Sequence, residues 1–363
     1  YLLELNFRYD GSSKFLPGRQ YGFFPSAAVG WRFTEESFLK GMTDRFLTNG
    51  KLRASYGGLG NNSGVDRYEQ RETLAASNYM IGGSIVKGFV NKKMINRDLS
   101  WETTSVFNLG LDLGFFNNRL TAEIDYYNRL TTGMNRPSEM SLHLTGAYNA
   151  PRRNIGNLRN QGVELNLTWR DAIGDIGYTL SLNASKNATR LEKWNEFLAK
   201  GWIFIDMPYH FLYTYEDLGI AQTWEDVYNA TPQGASPGDI LRKDVNGDGR
   251  IDANDKVAYP KIQRDRPTTH VALNTSVTYK GFDLMVMVQG AAGRKDYWIN
   301  HFNNVNFGTQ RYASGWGHWN NPWDWENRGG AWPRLGGSAN REETTFWLDD
   351  MSYIRLKNIQ LGY

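Results

Sequence analysis

From Val163 to Arg170 the chain reads Val-Glu-Leu-Asn-Leu-Thr-Trp-Arg, with apolar side chains at every odd position and polar ones between. Successive side chains of a strand point to opposite faces, so this segment has one greasy face and one polar face. The same period of two recurs along the chain. Leu3, Leu5, Phe7 and Tyr9 oppose Glu4, Asn6, Arg8 and Asp10, and Ala27, Val29, Trp31 and Phe33 form the next row. Leu52, Ala54 and Tyr56 follow, then Phe107 to Phe115, Leu120 to Tyr127, Tyr178 to Ser185, Val271 to Tyr279, Phe282 to Val288 and Ile354 to Tyr363, the last changing phase near Lys357-Asn358 as a β-bulge would make it. These segments predict an all-β chain.

The connections carry as much information as the strands. Asn117-Asn118, the stretch 170–177 and Lys280-Gly281 predict tight turns. Between them lie long excursions at about 58–100, 129–161, 186–267 and 291–346. Short and long connections alternate, so in an antiparallel meander the tight turns fall at one end and the long loops at the other. A large transmembrane barrel with short periplasmic turns and long extracellular loops is built this way. A water-soluble sandwich or propeller would also alternate but has no reason to sort its connections by length. In the stretch 34–47, apolar spacing with Thr34 as a cap predicts a short amphipathic helix.

Composition agrees once barrel physics is applied. Mean hydropathy is −0.57, and no apolar run approaches the roughly 20 residues that a spanning helix needs. A barrel strand crosses in about 9–11 residues, half of them facing a polar interior, so its average hydropathy resembles that of a soluble protein. The 13 Trp, 20 Tyr and 18 Phe suit the membrane–water boundary, where an apolar ring and a polar tip are both satisfied. There is no cysteine, so disulfides and thiol chemistry are excluded, and a net charge of +3 without a basic stripe argues against a nucleic-acid partner. Both ends of the chain fall within strand patterns, which predicts a portion of a longer barrel.

One motif points to a cation. Asp244, Asn246 and Asp248 stand at positions 1, 3 and 5 of a calcium-type loop spanning 244–255. Gly249 takes the sharp turn, Arg250 would offer its carbonyl, Asp252 would act through water, and Asp255 closes the loop. Position 12 is Asp where an EF-hand has Glu, and Pro260 follows closely, so the expectation is a lone loop holding a structural Ca²⁺. No organic cofactor is expected.

No catalytic constellation is present in the sequence, and the chain reads as a non-enzyme. The histidines at 143, 210, 270, 301 and 318 are scattered, and there is no His-Glu-x-x-His or Gly-x-Ser-x-Gly. Carboxylates such as Glu123 and Asp125, with Glu164 and Asn166, lie on polar strand faces and are expected to line a lumen. Trp316, Trp319, Trp323, Trp325 and Trp332, with Arg328 and Arg334, crowd one long loop. That mixture suits sugar stacking, a protein partner, or the loop's own packing.

Several segments together resemble the SusC/RagA family of TonB-dependent transporters: Tyr21 to Arg32, Lys51 to Gly57, Asn117-Asn118-Arg119-Leu120, Asp125-Tyr126-Tyr127, Asn154-Ile155-Gly156-Asn157 with Gly162 to Leu165, the calcium-type loop, Tyr279 to Leu284, and Ser352 to Ile359. The resemblance implies the later part of a 22-stranded outer-membrane barrel, with the plug domain, the TonB-contacting segment and the final strands outside residues 1–363. It implies a multi-pass location in a bacterial outer membrane, in contact with its lipid. The implied activity is TonB-dependent nutrient import, foremost of oligosaccharides and otherwise of peptides, under a SusD-like lipoprotein lid. The alternative is a secreted calcium-binding β-protein that binds or hydrolyses carbohydrate.

Overall fold

The computed structural model describes residues 1–363 except 40–45, 92–93, 139, 141–149, 196–203, 265 and 298–320, and the side chains of 338–339. Its main feature is a ten-stranded antiparallel sheet. In order across the sheet the strands are β1 (Leu2–Gly11), β2 (Tyr21–Trp31), β3 (Leu47–Asn61), β6 (Glu102–Phe115), β7 (Leu120–Pro137), β8 (Arg152–Ile173), β9 (Ile176–Trp194), β14 (Thr269–Tyr279), β15 (Phe282–Ala292) and β18 (Tyr353–Gly362). Each of the ten alternating segments of the sequence lies in one of these strands, except that Phe33 falls in the turn after β2 and Tyr363 just past β18. The sheet is open, with β1 and β18 as its edges. A hairpin of β4 (Leu74–Ile81) and β5 (Ser84–Asn91) interrupts the connection from β3 to β6.

Register keeps the two faces distinct across the sheet. Trp31 pairs with Leu52, and the row continues through Leu111, Ile124, Leu165, Ala184 and Val271. The neighbouring row runs through Leu113, Ala122, Leu167, Leu182 and Leu273. On the other face Arg53 leads through Gly110, Asp125, Glu164 and Ser185 to His270. A slip of one residue at any pair would put a charged row among the leucines, so the pattern holds the register.

Aromatic rings gather where the short turns are. Phe46 packs on Phe115 and Phe116 at 5.0 and 4.9 Å between centroids, Phe116 meets Trp169, and Trp31 meets Phe33. The turns have the left-handed conformations that tight hairpins need. Phe116, Asn117 and Asn118 all have positive φ, as do Lys280 and Gly281, while between β8 and β9 only Gly174 does. At the opposite end the small core of Phe15, Val65 and Leu99, flanked by Trp101, holds the bases of the first long connections.

The structure corrects several boundaries. The segment expected as a loop at 129–161 is strand to Pro137 and again from Arg152, leaving 138–151 as the connection. β9 likewise runs on to Trp194, into the expected 186–267 loop, and the 170–177 turn shrinks to Gly174-Asp175. Where strands extend past an apolar environment, both faces are wetted and alternation fades, but backbone pairing and cross-strand pairs persist. Arg159, bonded to Asn128 at 2.7 Å and to Glu192, is such a cross-strand link. The expected helix at 34–47 is a short 3₁₀ turn over Phe33–Glu35, with 40–45 outside the described residues. Thr34 is buried and its hydroxyl accepts from the Gly50 amide at 3.1 Å, so it pins the turn to β3 and caps no helix.

A second compact unit comprises His210–Thr268 and Ala291–Tyr353. It contains β10 (Phe211–Tyr215) paired with β13 (Lys256–Gln263), β11 (Asp217–Ile220) with β12 (Ile240–Arg242), and β16 (Lys295–Tyr297) with β17 (Leu348–Asp350). A six-residue helix, α1 (Trp224–Asn229), is capped reciprocally by Thr223 and Asp226. Its core is Leu212, Ile240, Tyr297 and Trp347, backed by Ile220, Tyr259, Trp332 and Phe346.

Candidate functional site

Two regions carry the candidate residues: the polar face of the large sheet and the loop-built unit. On the polar face, Arg53 is the organising side chain. Its Nε donates to both carboxylate oxygens of Asp112 at 2.9 Å, and its Nη2 donates to Asp112 at 2.8 Å and to Asp125 at 3.0 Å. Gly110 lies opposite Arg53 and Asp125, and a Cβ there would come within 2.7 Å of the Arg53 Cζ and of an Asp125 oxygen. The glycine thus lets the guanidinium lie across β6 and reach β7. Arg53 and Gly110 were not singled out from sequence, although both sit in register with Asp125.

Beside this ion-pair network is a hollow of about 320 Å³. Glu123, Asp125, Glu164 and Asn166, the four residues expected on a lumen wall, all line it, together with Asn183, Ser185, His270 and Gln289. Asn166 Nδ2 donates to Glu123 at 3.4 Å. The hollow offers carboxylates, amides and a hydroxyl from five adjacent strands.

In the second unit the calcium-type loop turns as the motif requires. Gly247 and Gly249 have φ of 73° and 79°. Asp244 accepts from the amides of Gly247 at 2.7 Å and Gly249 at 2.8 Å. Asn246 accepts from Asp248 N at 3.0 Å, Asp248 from Arg250 N at 2.9 Å, and Asp252 from Asn254 N at 2.7 Å. Asp255, fully buried, ties the loop shut by accepting from Val245 N at 2.9 Å and Asp252 N at 2.8 Å. Burial raises the Asp255 pKa, but the amides of Asp252, Val245 and Asn246 outweigh it and hold the carboxyl below its ordinary value. The donor set is all oxygen, which suits a hard cation. Among the described residues, however, no three His, Cys, Asp or Glu side chains converge into a metal-holding cluster. The carboxylates are directed at the loop's own amides.

The tryptophan-rich loop divides in two. Trp316 and Trp319 lie outside the described residues. Trp323 is buried, donates its Nε1 to Gln222 at 3.0 Å, and packs over Gly238, whose φ of 88° and lack of Cβ make room for the indole. Trp332 stacks on Trp347 at 6.2 Å and edges Phe346. Arg334 donates to both oxygens of the buried Asp239 at 2.7 and 2.9 Å, and Asn340 adds a bond to Asp239 at 3.0 Å while accepting from Ile240 N. These three candidates take part in the packing and hydrogen bonding within the unit. Trp325 and Arg328 are different. Trp325 is 55% exposed, with the Arg328 guanidinium 5.3 Å from its ring centroid.

An antiparallel wall with apolar rows outside, charged rows on the reverse and long insertions at one end is part of a transmembrane β-barrel. A family model for the TonB dependent receptor-like β-barrel matches residues 1–363, and the chain belongs to that family. TonB-dependent receptor P3 of Formosa agariphila is 32% identical over 387 residues, covering all of this chain and 37% of that protein. TonB-dependent receptor SusC of Bacteroides thetaiotaomicron is 28% identical over 376 residues, covering all of this chain and 36% of SusC. The chain therefore spans little more than a third of the length of these relatives. The solved RagAB peptide transporter matches with a TM-score of 0.79 at 24% identity, over 99% of this chain and 39% of that one. The RagAB peptide importer in its open-open state matches with a TM-score of 0.78 at 23% identity, over 99% and 38%. At these identities the likeness is one of fold.

Arg334 gives a stability prediction. Arg334→Ala leaves the Asp239 carboxylate buried with only its Asn340 and backbone partners, and is expected to destabilise the loop-built unit by about 3 kcal/mol. Denaturant titration of the full-length protein in micelles, followed by tryptophan emission, measures this. An unchanged midpoint would mean that the Arg334–Asp239 pair does not hold the unit together.

Proposed function

We propose that the chain forms part of the wall of an outer-membrane transporter that imports oligosaccharides by a TonB-dependent mechanism, with a SusD-like lipoprotein as its lid. The observation that carries this reading is the sorting of the sheet's two faces. Leu5, Val29, Leu109, Val163, Val271 and Leu273 remain 40–55% exposed on one face, while the reverse holds the Arg53 network and the acidic hollow. Apolar rows left open on a sheet of this size are stable against hydrocarbon and not against water.

In this reading the hollow faces the interior of the barrel. Its amides, hydroxyl and carboxylates suit sugar hydroxyls passing along the wall, and Arg53 holds one of those carboxylates, Asp125, in place. The long connections and the Trp325–Arg328 pair face the lid and the incoming cargo. The resemblance of the sequence to the SusC/RagA family favours an oligosaccharide. The RagAB likeness keeps a peptide as the competing cargo, decided by experiment. Transport involves no covalent step by this chain.

The cargo is tested by deleting the gene in its native host and growing the strain on oligosaccharides and oligopeptides as sole nutrients. Loss of growth on at least one oligosaccharide, restored by the full-length gene, is expected. A defect confined to peptides would overturn the cargo class, and no defect on any nutrient would overturn import itself.

The placement of the wall is tested by charge. Leu167, in the apolar row between Ala122 and Leu182, is expected to cost roughly 2–4 kcal/mol when changed to Arg. Its neighbour Asn166, on the polar face, should tolerate Arg at much lower cost. Folding titrations into lipid vesicles give both values, and equal tolerance would reverse the assignment of faces.

We further propose that the 244–255 loop takes a Ca²⁺ ion as a structural clamp. Asp244, Asn246, Asp248, the Arg250 carbonyl, Asp252 and Asp255 would share their oxygens between the loop amides and the ion. Terbium luminescence sensitised in the full-length protein, displaced by Ca²⁺ and lost in Asp244→Ala, is the expected result. Equal terbium signal in the variant would place the ion elsewhere.

A further inference from the structure

The register of the polar face explains where its hollow lies. Glu123 pairs with Asn166, Asn166 with Asn183 and Asn183 with Ala272. In the next row Asp125 pairs with Glu164, Glu164 with Ser185 and Ser185 with His270. Ser185 and Ala272 are short side chains among longer ones. The missing bulk leaves a hollow of about 320 Å³, at the lower end of the roughly 300–1,000 Å³ typical of small-molecule sites. Its residues come from interior strands of the sheet, away from both edges.

Three features beside the hollow have no use in holding the sheet together. The first is charge. Arg53 is shared between Asp112 and Asp125, and Lys51 stands 3.9 Å from Asp112, so two cations meet two carboxylates. Glu123 and Glu164 pair with no cation among the described residues, and Glu123 accepts only from the Asn166 amide. Asp125 and Glu164 stand directly opposite each other on adjacent strands, a like-charge arrangement that an incoming cation relieves. The second is an acceptor. Gln289 lines the hollow from β15, and its side-chain oxygen is buried without a hydrogen-bond partner among the described residues. The third is a platform. Tyr127, two residues beyond Asp125 on the same face, pairs with Gly162. A Cβ at Gly162 would come within 2.7 Å of the Tyr127 hydroxyl and 2.8 Å of its Cζ, so the phenol lies over the glycine and across β8, in electrostatic reach of Glu164. Arg129, next on this face, stands beyond Tyr127 and does not line the hollow.

We propose that the hollow and Tyr127 form a subsite for a 2-amino sugar, so that the cargo is an oligosaccharide carrying free ammonium groups. One pyranose ring stacks on Tyr127. Its ammonium sits between Glu123 and Glu164, diagonal neighbours across β7 and β8, and its hydroxyls meet Asn166, Asn183, Ser185 and the free oxygen of Gln289. A lysine side chain would supply the charge but no hydroxyls for these neutral partners and no ring for the platform. Uronic acids and sulfated sugars are repelled by the same carboxylates. The inference rests on the reading of this face as the lumen wall of an oligosaccharide importer, and it deepens that reading by fixing the charge of the cargo.

Full-length protein, purified in detergent, is titrated by calorimetry with the β-1,4-linked glucosamine hexamer, its fully N-acetylated counterpart and pentalysine. The glucosamine hexamer is expected to bind about tenfold more tightly than either of the others. Glu164→Gln, which keeps size and removes charge, is expected to abolish that preference, and Tyr127→Ala to weaken both hexamers severalfold. Glu225→Gln, on the exposed surface of α1, is expected to change nothing. Heat-modifiable gel migration reports folding, and should Tyr127→Ala fail to fold, Glu164→Gln and the two hexamers decide. Equal affinity for the two hexamers, no binding of the glucosamine hexamer, tighter binding of pentalysine, an undiminished preference in Glu164→Gln, or the same loss in Glu225→Gln would each overturn the subsite. The two readings fail separately. Release of the protein from membranes without detergent would sink the wall and the subsite together. A detergent-requiring protein whose deletion abolishes growth on a neutral oligosaccharide, and which shows no preference for the glucosamine hexamer, would sink only the subsite.

Discussion

Backbone pairing between antiparallel strands is the constraint on which this structure depends. Inside a bilayer every amide and carbonyl must find a partner within the protein, since hydrocarbon supplies none. A sheet meets that requirement only through its neighbours, so strand order and register become obligatory. Once the ladder from β1 to β18 is set, the period of two forces each side chain onto one face or the other. The leucine rows through Leu52 and Leu167 and the charged row through Arg53 and Glu164 are two consequences of one register.

Charge on the reverse face is handled by proximity. Arg53 is only 34% exposed and is shared between Asp112 and Asp125, so three charged groups on adjacent strands are paired before any cargo or neighbouring domain approaches. Glycine at position 110 makes the sharing geometrically possible. A network of this kind fixes the side chains that surround the hollow, which gives a polar surface of defined shape, where unpaired side chains would give a mobile one.

The loop-built unit follows a different rule. It carries its own core around Leu212, Ile240 and Trp347. Short strand pairs of three to eight residues, such as β11 with β12 and β10 with β13, are marginal alone. They are held by buried polar ties: Asp239 with Arg334 and Asn340, and Thr214 donating to the Glu343 carbonyl at 2.8 Å. Most of these ties join residues about a hundred positions apart, so the unit is assembled from two distant insertions.

The ten strands of the sheet, the positions of the tight turns, the polar face bearing Glu123, Asp125, Glu164 and Asn166, and the turn at Gly249 were all legible in the amino-acid sequence. Each is a local pattern, readable from alternation or from a short motif. Three things required the folded chain. Strand ends beyond the apolar band were invisible, because residues such as Arg159 and Glu192 are wetted on both faces and lose the alternation. The roles of Trp323, Trp332 and Arg334 could not be separated from those of Trp325 and Arg328, because burial depends on Gly238, Asp239 and Asn340, remote in sequence from most of them. The Arg53 network arises only when particular residues meet across strands, and sequence spacing carries no record of which strand becomes whose neighbour.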